Sequence, residues 1–124
     1  MAVGESQYDF QFVTDKLNCK DYVAAVQYVL SYAISGNSDA QSMMGFFYEV
    51  GLGVPRDLVE AEWWLLKAAG QDNPVAWNNL GTLYLTMCCN GQCPPEYREK
   101  AQQCYRRAKE LGFNGAHPYP PPTA

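Results

Sequence analysis

Chemistry in this chain would have to come from a handful of side chains able to bind a metal, attack an electrophile or carry a proton. There are five cysteines, Cys19, Cys88, Cys89, Cys93 and Cys104, and a single histidine, His117. Cys88, Cys89 and Cys93 crowd into residues 87–95, and Cys104 follows 11 residues after Cys93. Thiolates at such spacing are soft ligands suited to zinc, with Cys104 as a fourth if it turns inward. The paired Cys-x-x-Cys knuckles that make a zinc signal strong are absent. An odd count with no secretory pattern over residues 1–8 reads best as reduced thiols in a cytoplasmic protein. A disulfide and a zinc site built on Cys88–Cys104 stay open as alternatives.

The catalytic constellations are missing. Nucleophilic catalysis needs a base beside the nucleophile, and the lone His117 sits at the head of a proline-rich tail. Gly51-x-Gly53 is not followed by the Lys-Ser or Lys-Thr of a phosphate loop. Glu60 and Glu62 stand two apart on a helical stretch, so they diverge. The expectation is a protein without catalytic residues, metal or cofactor.

Composition narrows the alternatives. The chain has 124 residues, 48% hydrophobic and 18% charged, with a formal net charge of -4. That suits one domain with a real core. The acidic balance argues against a nucleic-acid partner, and no apolar run is long enough for a membrane span. Charge is uneven: residues 1–72 carry ten acidic and four basic side chains, residues 73–124 three and five. The first part is thus suited to steering a basic partner.

The elements that would position any site emerge from self-comparison. At a shift of 36 residues, Asp21 falls on Asp57, Ala25 on Ala61, Leu30 on Leu66, Asn37 on Asn73, Ala40 on Ala76, Gly45 on Gly81 and Tyr48 on Tyr84. At a shift of 40, Ala61 falls on Ala101, Lys67 on Arg107 and Ala68 on Ala108. Each unit is a pair of helices. The first runs from Asp39 to about Val50 and stops at Gly51-Leu52-Gly53-Val54-Pro55. The second starts near Asp57 and ends near Gly70. The units span about 5–36, 37–72 and 73–112, within one domain of residues 1–116, followed by a tail, 117–124. Gly45 and Ala61 let the two helices of a unit approach closely, while Tyr48 and Trp64 fill the remaining space. The front unit is degenerate: its first helix is expected over residues 6–17, with Asp9 at the glycine position.

The unit 40–72 resembles a Sel1-like repeat, a relative of the tetratricopeptide repeat. The carrying residues are Ala40, Met44-Gly45, Tyr48, Gly51-Leu52-Gly53-Val54, Asp57, Ala61, Trp64 and Lys67-Ala68-Ala69. The string Gly51-Leu52-Gly53-Val54-Pro55-Arg56-Asp57 is the most specific part. Asp72 departs from the family's usual glycine, and residues 87–95 replace the Gly-x-Gly turn in the last unit. The resemblance implies an all-α superhelix of about three helix hairpins, acting as an adaptor for protein–protein contacts.

In such stacks the first helices line the concave face. By register that face is expected to show Phe10, Val13 and Thr14, then Ser42, Phe46 and Glu49, then Asn78, Thr82 and Leu85. The partner-binding set is Phe10, Val13, Ser42, Phe46, Glu49, Asn78 and Thr82, with Phe46 as an apolar anchor. This mixture suits a peptide or a partner's helix. Other readings are an inhibitor or immunity-type protein neutralising a basic partner, and self-association through the open ends of the stack. The tail from His117 through Pro118, Tyr119 and Pro120-Pro121-Pro122 cannot be helical and favours polyproline II. It is expected to be a loose end, with docking as the sharper alternative.

Overall fold

A computed structural model describes residues 7–88 and 93–115. These form six helices and no strand: α1 (Phe10–Asn18), α2 (Tyr22–Ile34), α3 (Ser38–Val50), α4 (Leu58–Ala69), α5 (Pro74–Thr86) and α6 (Pro95–Glu110). They pair as hairpins α1/α2, α3/α4 and α5/α6. The hairpins stack because α3 also packs on α2 and α5, and α5 also packs on α4. The architecture is an all-α helical repeat.

The starts of the helices are written in short polar side chains. Asp9, Asp21, Asn37, Asp57 and Asn73 each accept a hydrogen bond from a backbone N–H of the helix they open. That satisfies a donor left without an intrahelical partner in the first turn. α6 opens instead on Pro94 and Pro95, where the missing N–H costs nothing. The ends share one closure. Five helices finish with a residue of positive φ, namely Lys20, Gly36, Gly51, Asp72 and Gly112. The next residue then bonds back five positions: Asp21 to Lys16, Asn37 to Tyr32, Leu52 to Phe47, Asn73 to Ala68 and Phe113 to Ala108. This left-handed cap reverses the chain within two residues.

Asp9 corrects the expectation for the front hairpin. It does not stand inside α1 as Gly45 stands inside α3; it is the N-cap, so α1 begins at Phe10 rather than at residue 6. Its backbone N–H donates to the Tyr28 hydroxyl at 2.9 Å. Aromatic rings pack in this hairpin: the Phe12 and Tyr28 centroids lie 4.3 Å apart, and those of Tyr28 and Tyr32 5.1 Å apart.

The core runs along the stack as two clusters. Val13, Ala25, Val29, Met43, Met44 and Phe47 form the first, with Trp64 reaching in from α4. Ala61, Leu65, Leu80, Leu83, Tyr84 and Cys104 belong to the second. The small residues act as the repeat pattern requires. A Cβ on Gly45 would lie 2.5 Å from Leu65 Cγ, and one on Gly81 would lie 2.8 Å from Tyr105 Cε1. Every residue of α3 from Ala40 to Phe47 is buried, because α2, α4 and α5 surround that helix.

Candidate protein-interaction surface

The first helices α1, α3 and α5 carry the side chains expected on the inner wall, but their exposure divides sharply. Val13 and Ser42 are fully buried, and Phe46 is 8% exposed inside the first core cluster. Those three belong to the core, which corrects the assignment of Phe46 as a surface anchor. The reason lies in the stacking. Ser42 and Phe46 sit on the helix with neighbours on several sides, and helical periodicity does not show which side stays open. Phe10, Glu49 and Asn78 are half-buried, and Thr82 is exposed. Leu85 is also exposed, at 44%.

The side chains left accessible at these positions are mostly polar, with Phe10 and Leu85 the apolar ones. The Arg56 Nε donates to the Glu49 carbonyl at 3.0 Å, fixing the turn after α3 beside that side chain. Burial raises the Glu49 carboxyl above its ordinary value, and the Arg56 charge partly opposes the rise. Thr82 Oγ1 lies 3.1 Å from the Tyr105 hydroxyl, so a hydroxyl pair stands where α5 meets α6. These groups can hydrogen-bond an extended peptide or the polar side of a helix.

The seams between units are held by polar side chains. Gln71 Nε2 donates to Gln41 Oε1 at 2.9 Å, and Gln41 Nε2 to the Ala33 carbonyl at 3.1 Å. Asn73 Nδ2 donates to Asp39 Oδ1 at 2.7 Å while its Oδ1 caps α5. Arg107 reaches Asp72 at 3.1 Å.

The opposite side of the stack holds a feature that the repeat pattern left unassigned. Val59, Trp63 and Leu66 on α4 are 74%, 51% and 49% exposed. Their spacing of four and three places them on one helix face. Leu66 matches Leu30 in the repeat, and that register gave no sign of its exposure. Lys67 Nζ lies 4.6 Å from the Trp63 ring centroid, a cation–π contact.

The cysteines take different roles. Cys88 and Cys93 are joined in a disulfide with Cα atoms 4.5 Å apart. This corrects the reduced-thiol expectation for that pair and removes both as zinc ligands. Cys104 is free and buried, and burial raises its thiol above the ordinary value. Among the described residues no three His, Cys, Asp or Glu side chains gather as a metal site. Cys89, His117 and the tail lie outside the described residues. None of the described helices is long and apolar enough to cross a membrane.

Comparison with known proteins places these hairpins in context. The family model described as the Sel1 repeat matches residues 38–73 and again 74–113. The chain is 41% identical over 61 residues to the chitin synthase regulator SKT5 of Saccharomyces cerevisiae, a match covering 49% of this chain and 9% of that protein. Among solved structures it is similar to a Sel1 repeat protein from Oxalobacter formigenes, with a TM-score of 0.61 and 31% identity. That match covers 73% of this chain and 35% of the other. The chain thus spans well under half the length of either relative.

Proposed function

Because this chain belongs to the Sel1 repeat family, whose repeats are generally protein–protein interaction modules, we propose that it is a non-enzymatic binding module taking a segment of a partner protein along α1, α3 and α5. The observation that carries this reading is the set of Phe10, Glu49, Asn78, Thr82 and Leu85. All five remain accessible on helices whose other faces are locked in the core. Apolar atoms of Phe10 and Leu85 supply contact area, and the amide, hydroxyl and carboxyl groups set register. The name of the yeast relative speaks of regulating an enzyme, which fits action by binding.

The test uses surface positions, since Phe46 is structural. Glu49→Lys combined with Thr82→Arg is expected to abolish capture of the partner from source cells while leaving the circular dichroism spectrum unchanged. Capture that survives the double variant but is lost in Val59→Asp with Trp63→Ser moves the binding surface to the outer face of α4.

Cytoplasmic residence, expected from the odd cysteine count, stands against the Cys88–Cys93 disulfide, since such bonds persist in oxidising compartments. Intact mass measured from source cells under non-reducing conditions decides the point. A mass lower than the reduced value by two hydrogens overturns the cytoplasmic placement.

A further inference from the structure

The outer side of α4 carries a pattern that its own hairpin does not use. Val59, Trp63, Leu66 and Gly70 follow one another at spacings of four, three and four, and all are exposed. That spacing is the seam of a coiled coil, in which apolar residues alternate between two inner positions. The buried side of α4 is a different set, Ala61, Trp64, Leu65, Ala68 and Ala69. Among the described helices α4 packs only on α3 and α5, so none of them covers the seam. Single exposed apolar side chains are ordinary; three in a row along one helix form a patch.

Charges flank this seam and find no match within the chain. Glu60 directly follows Val59, and Lys67 directly follows Leu66, so both lie along one edge of the stripe. They stand seven residues apart, about 10 Å along the axis, too far to pair with each other. Among the described residues the ion pairs are those of Arg107 with Asp72 and Glu110, so neither Glu60 nor Lys67 has one. Lys67 rests instead over the Trp63 ring. On the other edge, Glu62 is already engaged, accepting from the Tyr84 hydroxyl at 2.9 Å.

A second copy of α4 answers this pattern in one orientation. With two such helices antiparallel, Trp63 of each copy meets Leu66 of the other, and Val59 meets the bare Gly70. The same register sets Glu60 of each copy beside Lys67 of the other, since flanking positions decide orientation in such pairs. A parallel alignment would instead aim Lys67 at Glu62, which Tyr84 holds.

We propose that this chain forms a two-fold symmetric dimer through α4, with the two helices antiparallel and a Glu60–Lys67 ion pair at each end of the seam. The patch is self-complementary, as a two-fold interface requires. One helix of twelve residues from each copy is a small contact beside the about 1,200–2,000 Å² of stable interfaces. The dimer therefore separates on dilution. It uses α4 and leaves the residues proposed for a partner on α1, α3 and α5 untouched, so either proposal can fail alone.

Sedimentation equilibrium of the full chain, from low micromolar to millimolar protein, tests this. The mass is expected to rise from 13.9 kDa toward twice that value. Trp63→Asp should hold it at the monomer, with an unchanged circular dichroism spectrum. Glu60→Lys and Lys67→Glu should each weaken self-association about tenfold, because like charges then meet at both ends of the seam. An equimolar mixture of those two variants should associate as tightly as the unaltered chain, since both ends again join opposite charges. A chain that stays monomeric throughout overturns the proposal and leaves the seam to a partner's helix. Self-association that persists in Trp63→Asp overturns it by placing the contact elsewhere on the stack. A mixture that fails to associate, or a loss caused by Lys67→Glu alone, overturns the antiparallel pairing.

Discussion

Gly45 on α3 faces Leu65 on α4 so closely that a single added methyl group would sit 2.5 Å from the leucine Cγ. The same methyl group would stand 3.3 Å from the Ala61 carbonyl oxygen, so the helix backbone as well as the side chain limits any adjustment. The closeness of the two helices in this hairpin rests on that missing side chain.

Gly45→Ala and Gly70→Ala should therefore move stability in opposite directions. Alanine gains about 1 kcal/mol over glycine in a helix interior, but overpacking a filled core costs about 1–3 kcal/mol. At Gly45 the clash is expected to win. At Gly70 the backbone is right-handed, with φ -63, and an added Cβ meets its nearest atom at 3.4 Å. There the substitution should stabilise by about 0.5–1 kcal/mol. Urea denaturation of the two variants compares the signs directly.

Phe46→Ala is expected to cost about 3–5 kcal/mol, the range for removing a buried phenylalanine. The ring is 8% exposed and shares a cluster with Val13, Phe47 and Trp64. The midpoint of denaturation should fall with little change in slope. A loss under 1 kcal/mol would show that Phe46 is not built into the core.

Glu49→Gln should stabilise the protein at neutral pH. Burial raises the folded-state pKa of Glu49, so its contribution to stability is fully present below the unfolded value and is lost as pH rises through the folded one. At pH 7 the carboxylate is ionised in a site that disfavours the charge, and glutamine removes that penalty. The advantage of the variant should shrink as pH falls below the ordinary carboxyl value of 4.5. Thermal melts at pH 3.5 and 7 check the sign; an advantage that grows in acid would contradict it.

Asp72→Gly tests the turn between α4 and α5. Asp72 holds φ 60, a conformation that costs most side chains about 1–2 kcal/mol and glycine nothing. Its carboxylate recovers part of the cost through Arg107, at 3.1 Å, but both partners are largely exposed and the pair is screened by salt. Glycine is expected to raise the melting temperature in high salt, where the ion pair contributes least. Asp72→Ala, which keeps a Cβ and loses the pair, should lower it at every salt concentration.

The repeat was legible because its signals are local or nearly so. The cap residues Asn37, Asp57 and Asn73 stand within a few positions of the N–H groups they satisfy. The glycines at 45 and 81 announce close helix contacts through their recurrence alone. Even Asp72 betrayed its turn by standing where a glycine recurs elsewhere.

Exposure on the inner wall was not legible in the same way. Ser42 and Asn78 hold one register position, yet the first is buried and the second is half-open. Asp9 matched a glycine by count but capped a helix, because its partner is the Gln11 N–H rather than a neighbouring helix. Sequence alone determined the hairpins, their turns and their order, since each follows from residues adjacent in the chain or one repeat apart. Only the tertiary structure decided which side chains of those helices reach solvent and which cysteines meet, because both depend on which segments the folded stack brings alongside one another.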